Sequence, residues 1–133
     1  MLFSKYSATI LAIALLLSSG CGSGDKGPVR HRISGTVTFD GQPVPQGNIL
    51  FSPDASKGNT GPAAYAKIVD GKYDTASEGA MSPTAGEYTV DIEGTAVQAP
   101  GEELAKKLFE TYHTTLTVPE QDHVFDITVP GKK

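Results

Sequence analysis

At 133 residues, 38% hydrophobic and 20% charged, with fifteen glycines and nine prolines, the chain is long enough for one small turn-rich domain and too short for two. Its formal charge of −4, with acidic and basic residues unclustered, opposes nucleic-acid binding, which depends on basic surfaces that release counterions from phosphate. The same balance weakens attraction to anionic lipid, so any membrane attachment must come from something other than a polybasic patch.

Lys5 and the terminal amine precede an apolar run, Ala8-Thr9-Ile10-Leu11-Ala12-Ile13-Ala14-Leu15-Leu16-Leu17, joined by Ser18-Ser19-Gly20 to Cys21, the single cysteine. A basic start, an apolar run too short to span a bilayer comfortably and a small-residue cleavage region predict a secretory signal peptide over residues 1–20. Its removal takes Lys5 away and moves the formal charge from −4 to −5. Ser19-Gly20-Cys21 resembles the lipobox of bacterial lipoproteins, in which the cysteine receives a diacylglyceryl group and becomes the new amino terminus. Ser18 stands where a branched aliphatic is usual, with Leu17 one place earlier. The alternative is an ordinary cleaved leader and a secreted protein with a free thiol. A lone exposed cysteine is a liability in an oxidising compartment unless modified, which favours lipidation of Cys21. Acyl burial is worth about 0.8 kcal/mol per methylene, and durable anchoring takes more than one chain.

Residues 22–31, Gly-Ser-Gly-Asp-Lys-Gly-Pro-Val-Arg-His, hold few apolar side chains and several breakers, so residues 21–31 read as a lipidated flexible tether. Ten extended residues reach about 33–36 Å, enough to hold a domain over 32–130 clear of headgroups. A rival reading starts the first strand as early as Val29.

The domain begins with alternation: Ile33, Val37 and Phe39 share one face, with Gly35 between them, against Ser34, Thr36 and Thr38. Asp40-Gly41 turns the chain, and Pro43 and Pro45, which cannot donate ladder hydrogen bonds, predict a short stiff connection over residues 42–46. A second strand carries Ile49 and Phe51, and the polar, breaker-rich residues 54–62 predict a surface loop. Residues 63–69 read as a third strand, Asp70-Gly71 as a tight turn and residues 72–75 as a short fourth strand. Residues 78–84, with Gly79 and Pro83, read as irregular; residues 86–93 then place Tyr88, Val90 and Ile92 on the inner face.

Residues 102–109 space Leu104 and Leu108 four apart and pair Glu102 with Lys106 and Glu103 with Lys107, which predicts one short helix lying against the sheet. Two closing strands follow: residues 114–118, with Leu116 and Val118, and residues 122–129, with Phe125, Ile127 and Val129 on one side. Seven short strands and one brief helix predict an all-β fold, a small antiparallel Greek-key β-sandwich.

Ile33-Ser34-Gly35-Thr36-Val37, then Asp40-Gly41-Gln42-Pro43-Val44-Pro45-Gln46-Gly47 and Ile49, resembles the opening of carboxypeptidase regulatory-like, or transthyretin-like, domains. Asp70-Gly71-Lys72-Tyr73 and Ala85-Gly86-Glu87-Tyr88-Thr89-Val90 resemble two later signatures of the same domains, in the same order. Tyr112-His113-Thr114-Thr115-Leu116-Thr117-Val118, with Phe125-Asp126-Ile127 after it, resembles the carboxyl-terminal part of small bacterial lipoproteins carrying this domain. The resemblance implies a seven-stranded prealbumin-like sandwich at the cell envelope, on the outer membrane or the periplasmic face, without peptidase activity.

Candidate chemistry is sparse. His31, His113 and His123 lack any zinc-ligand spacing, and Asp40, Asp70 and Asp74 form no Asp-x-Asp-x-Asp-Gly loop for calcium. No Gly-x-Ser-x-Gly or phosphate loop occurs. Transthyretin-like hydroxyisourate hydrolases end in Tyr-Arg-Gly-Ser, whereas this chain ends Val129-Pro130-Gly131-Lys132-Lys133. Alternation sends Tyr73 and Tyr88 to the core and leaves Tyr65 and Tyr112 as candidates for a surface that binds an envelope protein or glycan. The reading is a non-catalytic, lipid-anchored interaction or structural module with no catalytic residue, metal or cofactor. The alternative is an extracytoplasmic hydrolase or small-ligand carrier on the same frame.

Overall fold

The computed structural model describes residues 27–132. The leader, Cys21 and the first part of the tether lie outside the described residues. Nine strand segments follow one another: β1 (Ile33–Phe39), β2 (Gln42–Pro43), β3 (Gln46–Pro53), β4 (Ala64–Val69), β5 (Lys72–Asp74), β6 (Gly86–Thr95), β7 (Tyr112–Val118), β8 (His123–Val124) and β9 (Ile127–Val129). The all-β expectation holds. Two segments go beyond the seven anticipated strands, because Gln42–Pro43 pairs with β1 as β2 and the last strand is divided.

Hydrogen bonds link the strands into one curled sheet in the order β2-β1-β5-β4-β3-β6-β7, with β8 and β9 also pairing β1. The chain folds over at the tight β4–β5 turn, where pairing narrows to Val69 opposite Lys72. One layer is therefore β4-β3-β6-β7, and the other is built on β1 with β5, β8 and β9. The alternating inner side chains of both layers form the core: Ile33, Val37, Ile49, Phe51, Ile68, Tyr73, Tyr88, Val90, Ile92, Leu116, Ile127 and Val129 are all buried. Phe51 on β3 and Tyr73 on β5 meet across it, ring centroids 6.3 Å apart. At about 1.5–3 kcal/mol for each fully buried large apolar side chain, this shared interior dominates the stabilising terms.

The two Asp-Gly turns form as the sequence dictates. Asp40 and Asp70 take φ of 51° and 50°, and Gly41 and Gly71 take 77° and 75°, the left-handed pair that a two-residue hairpin needs. Between them, residues 42–46 do more than connect. Val44 is fully buried, its N–H donates to Val37 O and its carbonyl accepts from Gly71 N, so the proline-flanked segment plugs one end of the core.

Three expectations need correction. No helix forms over residues 102–109. Ala96 N donates to Lys106 O and Leu108 N to Gly94 O, so the returning backbone is spent on the end of β6, with Lys107 bridged to Thr95. Leu104 is 84% exposed, while Leu108 and Phe109 pack on the core and Phe39 lies 4.9 Å from Phe109. A stripe of two leucines cannot offset helix nucleation, and cross-chain pairing wins.

Second, the closing strand runs parallel to β1, and the all-antiparallel expectation fails there alone. It also breaks at Phe125-Asp126. Asp126 Oδ1 accepts from Thr36 N at 2.8 Å and from Thr36 Oγ1 at 3.1 Å, so a side chain fills a ladder position. Phe125 O turns inward over Gly35, where a Cβ would stand 2.1 Å from it, and Tyr73 Oη donates to that carbonyl at 2.6 Å. Third, the end of the tether touches the fold, but not as the early start of the first strand that the rival reading held, since β1 begins at Ile33. Arg30 bridges Thr84, and His31 N donates to Pro83 O.

The chain thus enters the domain at the end where β1 begins, beside Pro83, Thr84, Ala85 and Glu120. The opposite end carries the Asp40-Gly41 turn, Pro43, Pro45 and the 96–111 loop.

Candidate functional site

The register fixes what the outer face of the four-stranded layer presents. Across it, Tyr65 faces Leu50, Leu50 faces Asp91 and Asp91 faces His113. Tyr65 is 45% and Leu50 42% exposed, and Met81, bridged to Tyr65 through paired backbone hydrogen bonds, adds a third apolar side chain. Beside this patch, His113 Nδ1 lies 2.7 Å from Asp91 Oδ1, the histidine exposed and the carboxylate half-buried.

Three carboxylates line the outer face of β6 and reach toward β7. Glu87 accepts from Thr117 Oγ1 at 2.7 Å, Glu93 accepts from Thr111 Oγ1 at 3.2 Å, and Asp91 holds His113. Glu110 and Glu120, both exposed, flank β7 in the chain. Cross-strand pairing of β-branched threonine with carboxylate is a local consequence of alternation on two adjacent strands.

Tyr112 stands on the other face. Its register partner is the buried Ile92, and it packs half-buried against the core. With Phe39, Phe109 and Val129 it lines a slot of about 760 Å3 between the start of β7 and the end of β9. Tyr65 and Tyr112 are therefore not brought together into one aromatic surface.

The histidines are separate in role. His31 is tied to the chain-entry end by its own backbone, His123 lies on β8 opposite Ile33, and His113 lies on β7. Among the described residues, no group of three or more His, Cys, Asp or Glu side chains stands close enough to hold a metal ion. Asp40 contacts the Gly131 region, while Asp74 is claimed by Arg32, whose Nε donates to its Oδ1 at 2.9 Å and to its Oδ2 at 3.1 Å. The Arg32 guanidinium and the Ala76 N–H hold the Asp74 carboxyl below the usual carboxylate range, against partial burial, and the pairing raises Arg32 in turn. Burial, with Asp126 nearby, pushes the Tyr73 phenol up and keeps it a neutral donor to Phe125 O.

Sequence reasoning missed the edge of β7. The sheet ends there, and among the described residues β7 pairs with β6 alone. Alternation marks a strand and its two faces but carries no mark of which neighbour is absent. No protein-family model matches this chain, and no curated protein matches it in sequence.

Proposed function

We propose that this chain is a non-catalytic β-sandwich module displayed on the bacterial cell envelope, held to the membrane by a diacylglyceryl group on Cys21. The observation that carries the reading is the apolar run from Ala8 to Leu17 closed by Ser19-Gly20-Cys21 and followed by a breaker-rich tether. The ordered likeness to carboxypeptidase regulatory-like domains supports it, as does an outer face that offers apolar, hydroxyl and carboxylate groups for contact. Since the chain enters the domain beside Pro83 and Thr84, a membrane anchor leaves the opposite end, with the 96–111 loop, facing outward. Its partner is an envelope protein or glycan.

Metabolic labelling with palmitate tests the anchor. The wild-type protein takes up label and fractionates with membranes, and Cys21→Ala does neither. Unchanged labelling in that variant, or none in the wild type, removes the anchor.

One observation favours the second reading, an extracytoplasmic hydrolase or small-ligand carrier. His113, paired with Asp91, stands at the rim of the slot lined by Tyr112 and Phe109. Ester or amide hydrolysis that is abolished by His113→Ala, in a variant that unfolds as the wild type does, overturns the non-catalytic assignment.

A further inference from the structure

A sheet edge is a row of backbone donors and acceptors without partners, and proteins ordinarily blunt it with short strands, breaks or proline. Among the described residues most edges are blunted: β4 is held at Tyr65 by Met81 and at Val69 by Lys72, with Lys67 between them. β2 is two residues long and contains Pro43; β8 and β9 are two and three residues and are interrupted at Phe125-Asp126. β7 runs seven residues, Tyr-His-Thr-Thr-Leu-Thr-Val, without proline or lysine. At about 3.3 Å per residue it offers roughly 23 Å of template.

The register identifies which groups are free. Glu87 O accepts from Asp54 N on the β3 side, so the backbone of Glu87 points away from β7. Direction alternates along a strand, so Tyr88, Val90 and Ile92 bond to Leu116, Thr114 and Tyr112. The N–H and C=O of His113, Thr115 and Thr117 consequently point outward from the sheet. The paired bonds between Tyr65 and Met81, on the far side of β4, agree with this phase.

Charge selects the occupant. Glu87, Asp91 and Glu93 stand on the strand behind this edge, on one face, with Thr89 at the position between Glu87 and Asp91. Among the described residues, neither Glu87 nor Glu93 has a cation within ion-pair distance. A second copy paired through β7 would bring threonines and a His113 already held by its own Asp91, with a second carboxylate row behind them, and no lysine or arginine from β7. A lysine or arginine on an added strand can reach the row from above β7, and apolar side chains at the alternate positions cover Tyr112 and Leu116 from the side.

We infer that the outer edge of β7 is a strand-addition site for an extended, cationic polypeptide segment of five to seven residues. The inference names the contact surface of the interaction module described above and rests on that reading, but not on the lipid: failure of peptide binding leaves palmitate labelling of Cys21 untouched.

The test uses the full chain in detergent micelles and a blocked seven-residue peptide of alternating lysine and valine, with a glutamate-valine counterpart. The lysine peptide binds, slows hydrogen exchange across Tyr112–Val118 at least tenfold, and loses affinity as salt rises. Thr115→Pro removes an outward N–H without touching a bond to β6, and it weakens binding at least tenfold while far-UV circular dichroism is retained. The triple variant Glu87→Gln, Asp91→Asn, Glu93→Gln keeps the edge intact; it weakens binding at least tenfold and flattens the salt dependence. The inference is overturned by equal binding of the glutamate peptide, by binding that leaves β7 exchange unchanged, or by no binding. Protection of β7 that grows with protein concentration alone also overturns it, because the occupant is then a second copy.

Discussion

Thr75 shows how one buried hydroxyl joins two segments of chain. It is 1% exposed, its Oγ1 accepts from Ile33 N at 2.9 Å, and it lies 3.0 Å from Ser82 Oγ, which in turn donates to Thr75 O. Thr75→Val keeps the volume and strands the Ile33 N–H, so urea denaturation will show a loss of about 1–3 kcal/mol. Asp74 has a signature in pH instead. Its folded pKa lies below the ordinary 3.8, so its contribution is fully present above that value and is lost as pH falls through the lowered one. The stability difference between wild type and Asp74→Asn is therefore constant at neutral pH and narrows below about pH 4, which acid titration of unfolding midpoints will detect.

Between elements, close approach of backbones decides what is tolerated. Gly35→Ala places a methyl 2.1 Å from Phe125 O, where backbone must give way, and it separates β1 from the β8–β9 break. The expected cost is about 2–3 kcal/mol, read by chemical denaturation. The 96–111 loop supplies a paired contrast. Leu104→Ala will change stability by less than about 0.5 kcal/mol, since its side chain lies in water, whereas Phe109→Ala will cost about 2 kcal/mol by removing the ring that packs tilted against Phe39 and sits over Gly94. A packed helix over residues 102–109 would make Leu104 expensive. The failed helix shows the limit of local reading: favourable Glu-Lys spacing is worth only tenths of a kcal/mol per pair, less than the cross-chain bonds to Gly94 and Ala96. The strand alternation in β1, β4 and β6 was legible because burial on one face requires it. The break at Asp126 was not, because only the presence of Thr36 beside it gives that carboxylate a ladder role.

At the scale of the molecule, the last strands complete the layer begun by the first. Thr36 and Asp126 meet across ninety positions of sequence, and Ile127 and Val129 close over the β1 side of the core. A chain ending at Gln121 lacks both β8 and β9, and it will lose its cooperative thermal transition in circular dichroism, because Val37 and Ile33 are left uncovered. Such long-range pairing also places folding in the slow, millisecond-to-second range typical of all-β domains.

The sequence by itself determined the local terms: a period of two, Asp-Gly turns that accept left-handed backbone, and the identity of most inner side chains. These follow from sterics and from which face must avoid water, and they need no knowledge of neighbours. Tertiary structure alone decided which strands lie side by side. It set the parallel partner of β1, the seating of Val44 in the core, the separation of Tyr65 from Tyr112, and the open edge at β7. Each of those depends on the directions in which backbone hydrogen-bonding groups point after the sheet has curled, and a linear pattern of apolar and polar residues does not encode them.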